Sequence, residues 1–179
     1  MSEKKARTRE RILRAASAAL LQRGPVEPGV GEVMGAAGLT VGGFYAHFDS
    51  KDALMLEAFR QLLGHRRSLL AQVDSDLPAA QKRALLAAFY LSRKHRDTPD
   101  DGCPLPSTVG EIARLPEAFR QALAEHVELM VAHLSATPED ASEVLADMAL
   151  MVGGVALARA LGPSELSDRV LRSAKAAIV

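Results

Sequence analysis

The residues whose types and spacing carry the most chemistry lie between Ala37 and Leu54, in the run AGLTVGGFYAHFDSKDAL. Gly38 stands where one short helix must end, and Thr40 where the next must begin. Within about two turns, Thr40, Val41, Tyr45 and His47 offer a hydroxyl, two methyls, a phenol and an imidazole. Asp49-Ser50 then stops that helix, and Lys51 opens a longer one. Such groups, presented behind a glycine turn, suit contact with base edges and phosphates. The layout is that of a helix-turn-helix, whose second helix enters the major groove of DNA.

The aromatic residues divide by face. Phe44 and Phe48 are four apart and share one side, so they are expected to pack the short helix onto its neighbours. Tyr45 points elsewhere, with its hydroxyl free to reach a phosphate. Gly42 and Gly43 cannot read a base, but they let backbone lie very close to DNA, at a cost in helix propensity. Base reading then rests on Thr40, Val41, Tyr45 and His47, with Val41 able to touch a thymine methyl. So few readers imply a share for backbone contacts and DNA shape.

The elements that must position these groups are helical. The 179 residues are 48% apolar and 25% charged, with only 4% aromatic, so the core is aliphatic and the fold class all-α. Apolar spacing and breakers predict about nine helices: 5–23, 30–37, 41–47, 51–73, 77–95, a short one ending near Arg114, 116–135, 137–161, and 164 to the C-terminus. The chain divides into a helix-turn-helix domain at 1–52 and a helical bundle at 53–179. The helix over 137–161 is apolar around more than half its circumference, which predicts burial on two sides, one of them by a second subunit. Val144, Met148, Val152, Val155, Leu166 and Val170, on the last two helices, are the expected dimer contacts. Gly153 and Gly154 within that helix imply close approach of another helix.

Net charge is zero, yet residues 1–51 hold eight Lys/Arg against five acids, and the remainder is acidic by three. A basic end on an acidic body orients a molecule on a polyanion. Lys4, Lys5, Arg7 and Arg9 read as a flexible basic arm. Cys103 is the only cysteine, so no intramolecular disulfide forms and a cytoplasmic location is expected. Its acidic neighbours Asp100 and Asp101 favour an inert buried thiol. The longest charge-free apolar run, Met148 to Ala158, is 11 residues, against the ~20 that span a bilayer, so no membrane partner is expected. His126 and His133 are seven apart on one helix, without the i, i+4 spacing of a helical metal site, and read as solvated or pocket-lining. No metal, cofactor or catalytic residue is assigned.

Residues 7–59 resemble the N-terminal domain of the TetR/AcrR family of transcriptional regulators. The resemblance rests on Thr8-Arg9-Glu10-Arg11-Ile12-Leu13, Ala15-Ala16, Gly24, Glu32-Val33-Met34 and Ala37-Gly38-Leu39-Thr40. It continues through Gly43-Phe44-Tyr45-Ala46-His47-Phe48 and Ser50-Lys51-Asp52-Ala53-Leu54. It implies a homodimeric repressor on a near-palindromic double-stranded DNA operator, released when a small-molecule effector enters the C-terminal domain. It places Thr40, Val41, Gly42, Gly43 and Tyr45 toward the groove, His47 near a phosphate and Lys51 at a phosphate contact. Where the family commonly has Thr or Ser at the start of the second helix, this chain has Pro28 and Gly29, so that side-chain phosphate contact is not expected.

The effector pocket is expected among the helices between residues 77 and 161, with Leu86, Phe89, Tyr90, Cys103, Leu123, Val127, Met130 and Met151 as lining. Two other readings exist. An all-α small-molecule enzyme finds no nucleophile elbow, phosphate loop or carboxylate–histidine constellation in the sequence. A DNA-binding regulator with no ligand would lack an apolar cavity in its C-terminal domain.

Overall fold

The computed structural model describes residues 3–72 and 76–178. Among these every regular element is a helix, and the fold is all-α. The α-helices are α1 (Glu3–Arg23), α2 (Val30–Ala36), α3 (Lys51–Leu70), α4 (Ala79–Tyr90), α5 (Arg93–Asp97), α6 (Leu105–Ile112), α7 (Glu117–Leu134), α8 (Ala141–Ala160) and α9 (Glu165–Ala176). Short 3₁₀ helices cover Val41–Ala46, Pro99–Asp101 and Pro138–Asp140.

The head is built from α1, α2, the 3₁₀ helix Val41–Ala46 and the start of α3. Ile12, Leu13, Ala16 and Leu20 recur at helical spacing and are buried against Leu54, Met55, Ala58 and Phe59 of α3. Gly38 ends α2 at φ +66°, and the Leu39 N–H donates back to the Met34 carbonyl at 2.9 Å, which closes the helix end. Ser50 begins α3 by accepting the Ala53 N–H at 3.0 Å. In the body, α8 is the central element and packs on α4, α5, α6, α7 and α9. Buried Arg96 joins α5 to α9 through Ser167 Oγ at 2.9 Å and Asp168 Oδ1 at 2.8 Å, the pairing that a buried guanidinium requires.

Several expectations need correction. The helix expected over 77–95 breaks at Leu91, because the Ser92 side chain accepts the His95 N–H and starts α5. The helix expected to 73 is α3, which closes at Leu70; Val73 lies outside the described residues. The helix at Val41–Ala46 is wound as 3₁₀, with the Gly43 N–H donating to Thr40 and the His47 N–H to Phe44. The basic arm is not flexible, since α1 already begins at Glu3. Arg7 pairs with Glu3, and Arg9 pairs with Glu57 while lying 4.5 Å over the Phe48 ring.

The residues expected at a dimer face are only partly at the surface. Val144, Met148 and Val155 are buried within the subunit itself, and Val152 and Val170 are half-buried. The exposed apolar residues of α8 are Leu145, Leu150 and Leu157, followed by Leu161 and, on α9, Leu166. The glycine pair divides between the two sides. A Cβ on Gly154 would meet Leu91 at 2.9 Å and Ala174 at 3.2 Å, so its close approach is internal, whereas Gly153 faces open space beside Leu150 and Leu157. With its preceding 3₁₀ turn, α8 has the length and mean hydropathy, 1.6, of a helix able to cross a membrane. Five other α-helices pack on it, as on the core helix of a bundle.

Candidate nucleic-acid interface and buried cavity

The head presents its short 3₁₀ helix outward. Phe44 and Phe48 are buried with ring centroids 6.0 Å apart, and they supply the packing that holds the helix. Tyr45 meets the edge of Phe44 at 5.2 Å and is 74% exposed, so its hydroxyl end projects from the domain. Thr40 and Val41 are exposed beside it. Thr40 stands at the N-cap in extended backbone, yet its hydroxyl makes no capping bond. Gly42 is exposed, and a Cβ there would touch nothing within 4 Å; Gly43 is half-buried over Met34. Packing inside the subunit therefore does not demand a glycine at 42.

Two supports hold this helix at a fixed angle. Arg11 of α1 donates to the Ala37 carbonyl and pins the turn. Lys51 Nζ donates to the Val26 carbonyl, tying the start of α3 to the loop before α2. His47 is half-buried, and its Nδ1 is enclosed without a hydrogen-bond partner. Gly29 caps α2 with backbone alone, as its lack of a side chain dictates. The basic surplus of the head is partly neutralised within the domain, because Arg23 pairs with Glu27 and Glu32.

The body holds a cavity of about 350 Å³, partly open at the surface beside Leu69, Leu85 and Phe89, at the small end of the ~300–1,000 Å³ usual for ligand sites. Leu86, Phe89, Tyr90, Cys103, Met130 and Met151 line it. Leu123 and Val127 do not. The buried stripe of α7 runs Phe119, Ala122, His126, Met130, and Val127 lies one residue, about 100°, round from it. Both residues pack against the core instead.

The polar part of the lining is Arg66, Lys82, His95 and His126; of these, sequence reasoning has His126 as solvated or pocket-lining and misses the other three. Arg66 carried a signal. It falls three residues after Leu63 and four before Leu70, on the apolar stripe of α3, where a charge needs a reason. His95 was hidden by the unrecognised cap at Ser92.

Both cavity histidines are neutral by construction. The His95 Nδ1–H donates to the Tyr90 carbonyl at 2.8 Å, and its Nε2 accepts the Cys103 N–H at 2.9 Å. Burial, with Arg159 and Arg66 nearby, lowers its pKa to about 4. His126 Nδ1 accepts from Arg67 at 3.1 Å, and burial with that guanidinium lowers its pKa to about 4. Burial raises the Cys103 thiol, which argues against a reactive thiolate. Among the described residues no group of three His, Cys, Asp or Glu side chains converges as a metal site would.

One segment joins the cavity to the head. Cys103 and Leu105 line the cavity, and α6, which follows, lies against the end of α1. Ser107 Oγ contacts the Leu20 carbonyl at 3.1 Å, Glu111 accepts the Val26 N–H at 3.2 Å, and Gln22 donates to Asp100 at 2.8 Å.

A helix-turn-helix head on an all-α body with an internal apolar cavity defines a class of one-component regulatory proteins. Residues 12–58 match the model of bacterial regulatory proteins of the tetR family, and residues 78–174 match that of the tetracyclin repressor-like C-terminal domain. The chain belongs to the TetR family. It is 29% identical over 102 residues to "Uncharacterized HTH-type transcriptional regulator YerO" of Bacillus subtilis (strain 168), covering 54% of this chain. The chain matches about a third, 34%, of the length of that relative. Its fold is similar to E. coli NemR in its reduced form, with TM-score 0.78, 21% identity, and coverage of 96% of this chain and 95% of that one. A TetR-family regulator from Agrobacterium tumefaciens gives TM-score 0.79 at 17% identity, over 98% and 99% of the two chains. One from Chloroflexus aurantiacus J-10-FL gives 0.75 at 25%, over 99% and 94%.

Proposed function

We propose that this protein is a repressor that binds a near-palindromic DNA operator as a homodimer and leaves it when a small molecule fills the cavity. The observation that carries the DNA reading is the outward edge of Val41–Ala46. There Thr40, Val41 and Tyr45 are exposed around a glycine that the protein's own packing does not require. The exposed stripe Leu150, Leu157 and Leu166 supports pairing with a second copy through α8 and α9. The cavity favours a ligand-responsive regulator over one without a ligand. The proposed domain division after residue 52 falls in the first turn of α3, so this helix would carry motion between the two parts. In this reading, ligand pressing on Cys103 and Leu105 shifts α6 against α1 and re-aims the heads.

The test begins with DNA selected by the protein from a random pool, which is expected to converge on an inverted repeat. Gly42→Ala should then fold with equal or slightly higher stability, because alanine gains up to about 1 kcal/mol in a helix. Its affinity for the selected operator should fall by at least about tenfold, as when a methyl group pushes one base or phosphate partner out of hydrogen-bonding range. Unchanged affinity would show that the Gly42 backbone does not approach DNA.

A further inference from the structure

The cavity is apolar along most of its wall but not at one end. Leu86, Met130, Met148 and Met151 form the apolar part. At the other end Tyr90 is only 8% exposed, and its hydroxyl has no nitrogen or oxygen partner, only the weakly polar Cys103 thiol beside it. Arg66 lines the same cavity with a largely buried side chain, and its Nε is likewise enclosed without a partner. Among the described residues Arg66 pairs with Asp101, at 3.7 Å and mostly exposed, a separation and setting that compensate a guanidinium poorly. Arg66 acts electrostatically on both Tyr90 and Cys103, so these groups share one end of the space. Arg159 acts on that end as well. His95 is neutral there, as its hydrogen bonds require. The end therefore offers two unused donors under net positive charge. A buried donor left unmade is costly, and an ionised acceptor satisfies it most strongly.

We infer that the cavity takes a small amphiphile with a carboxylate head, its oxygens accepting from Arg66 Nε and the Tyr90 hydroxyl and its apolar body lying along the three methionines. This rests on reading the cavity as the effector site, and it adds the chemical class. Arg66 does more than hold the head. Its loose ion pair with Asp101 connects it to the Pro99–Asp101 turn, whose Asp100 accepts from Gln22 of α1. A carboxylate that engages Arg66 competes with Asp101 and frees that turn.

Octanoate, octan-1-ol and octylamine, titrated calorimetrically into the full chain, separate the class. Octanoate is expected to bind at least about tenfold more tightly than the alcohol, as a charged hydrogen bond gives, and the amine not to bind. Arg66→Met should erase the preference of acid over alcohol while retaining alcohol binding, which also reports an intact cavity. Tyr90→Phe should reduce the preference in part. Octanol binding as tightly as octanoate, absence of octanoate binding, or an acid preference that survives Arg66→Met would each overturn the proposal. Operator binding keeps the two readings apart. If octanoate binds with the expected preference but leaves the protein on its selected operator, the ligand class stands and the effector reading fails. If octanol releases the operator as well as octanoate does, the effector reading stands and the carboxylate class fails.

Discussion

Acidifying the protein from about pH 7 to about 4.5 is expected to remove roughly 5 kcal/mol of folding stability. The cause is the pair of cavity histidines, each held neutral with a pKa lowered to about 4. In the unfolded chain a histidine titrates near ~6.5, so between those values the unfolded state binds protons that the native state refuses. The stabilisation is complete above about pH 6.5 and is lost as pH falls toward 4. The geometry explains the refusal. Protonated His95 would aim a second N–H at the Cys103 N–H, and protonated His126 would aim one at Arg67. The carboxylates Asp97, Asp140 and Asp168 also have lowered pKa values, but from an ordinary value near 3.8, so most of their loss falls below this window, whereas the exposed Glu32 and Glu139, lowered from 4.5, begin to contribute only at its lower edge. Urea unfolding followed across the range should show its midpoint falling steadily below pH 6.5, with uptake of about two protons per molecule unfolded. His126→Gln, which keeps a group able to accept from Arg67, should halve the slope. Stability that stays flat between pH 7 and 5 would mean that these imidazoles are open to water. Such a loss is comparable with the whole stability of many domains, about 5–15 kcal/mol, so the cavity and the fold fail together in acid.

The head was legible in the sequence because its determinants are local. Gly38 and Ser50 act on hydrogen bonds within a few residues of themselves, and the spacing of Phe44 and Phe48 alone assigns them to the inner face. The body was legible in outline and not in detail. Its central helix is apolar on almost every side, so periodicity cannot separate the residues that meet the subunit's own helices from those left outside. Val144 and Val155 went inward and Leu150 and Leu157 outward for reasons that lie in α4, α7 and α9, far away in sequence. The cavity shows the same limit. Met130, Met151 and Tyr90 could be named from composition, whereas Met148 was assigned to the dimer face, and the polar end needs Arg66 of α3, Tyr90 of α4 and Cys103 before α6 to converge. A charge on the buried stripe of α3 was the one local sign of that end. The ion pairs that hold the basic arm in place, above all Arg9 with Glu57, join residues 48 positions apart and left no sign.

Gly24→Ala is expected to destabilise the protein by about 2–5 kcal/mol, lowering the melting temperature by roughly 4–20 °C. Gly24 follows α1 at φ +76°, where a side chain costs about 1–2 kcal/mol in any surroundings. It is also buried, and a Cβ would lie 2.6 Å from the Ser107 carbonyl oxygen and 2.5 Å from Glu111 Oε2. The carboxylate can swing away, whereas the carbonyl belongs to α6 and moves only with that helix. Overpacking of this kind adds about 1–3 kcal/mol. Gly162 isolates the first part of the cost. Its φ is +63°, but a Cβ there meets nothing within 4 Å, so Gly162→Ala carries the backbone strain alone. The difference between the two melting temperatures therefore measures how firmly α6 is seated on the end of α1. A large difference is expected, because Ser107 and Glu111 also bond to Leu20 and Val26 across this contact. It would mean that a push on Cys103 or Leu105 from the cavity reaches the head undiminished. Equal losses would mean that Ser107 moves aside without cost, and α6 would then be too compliant to carry a signal from the cavity to the DNA-binding face.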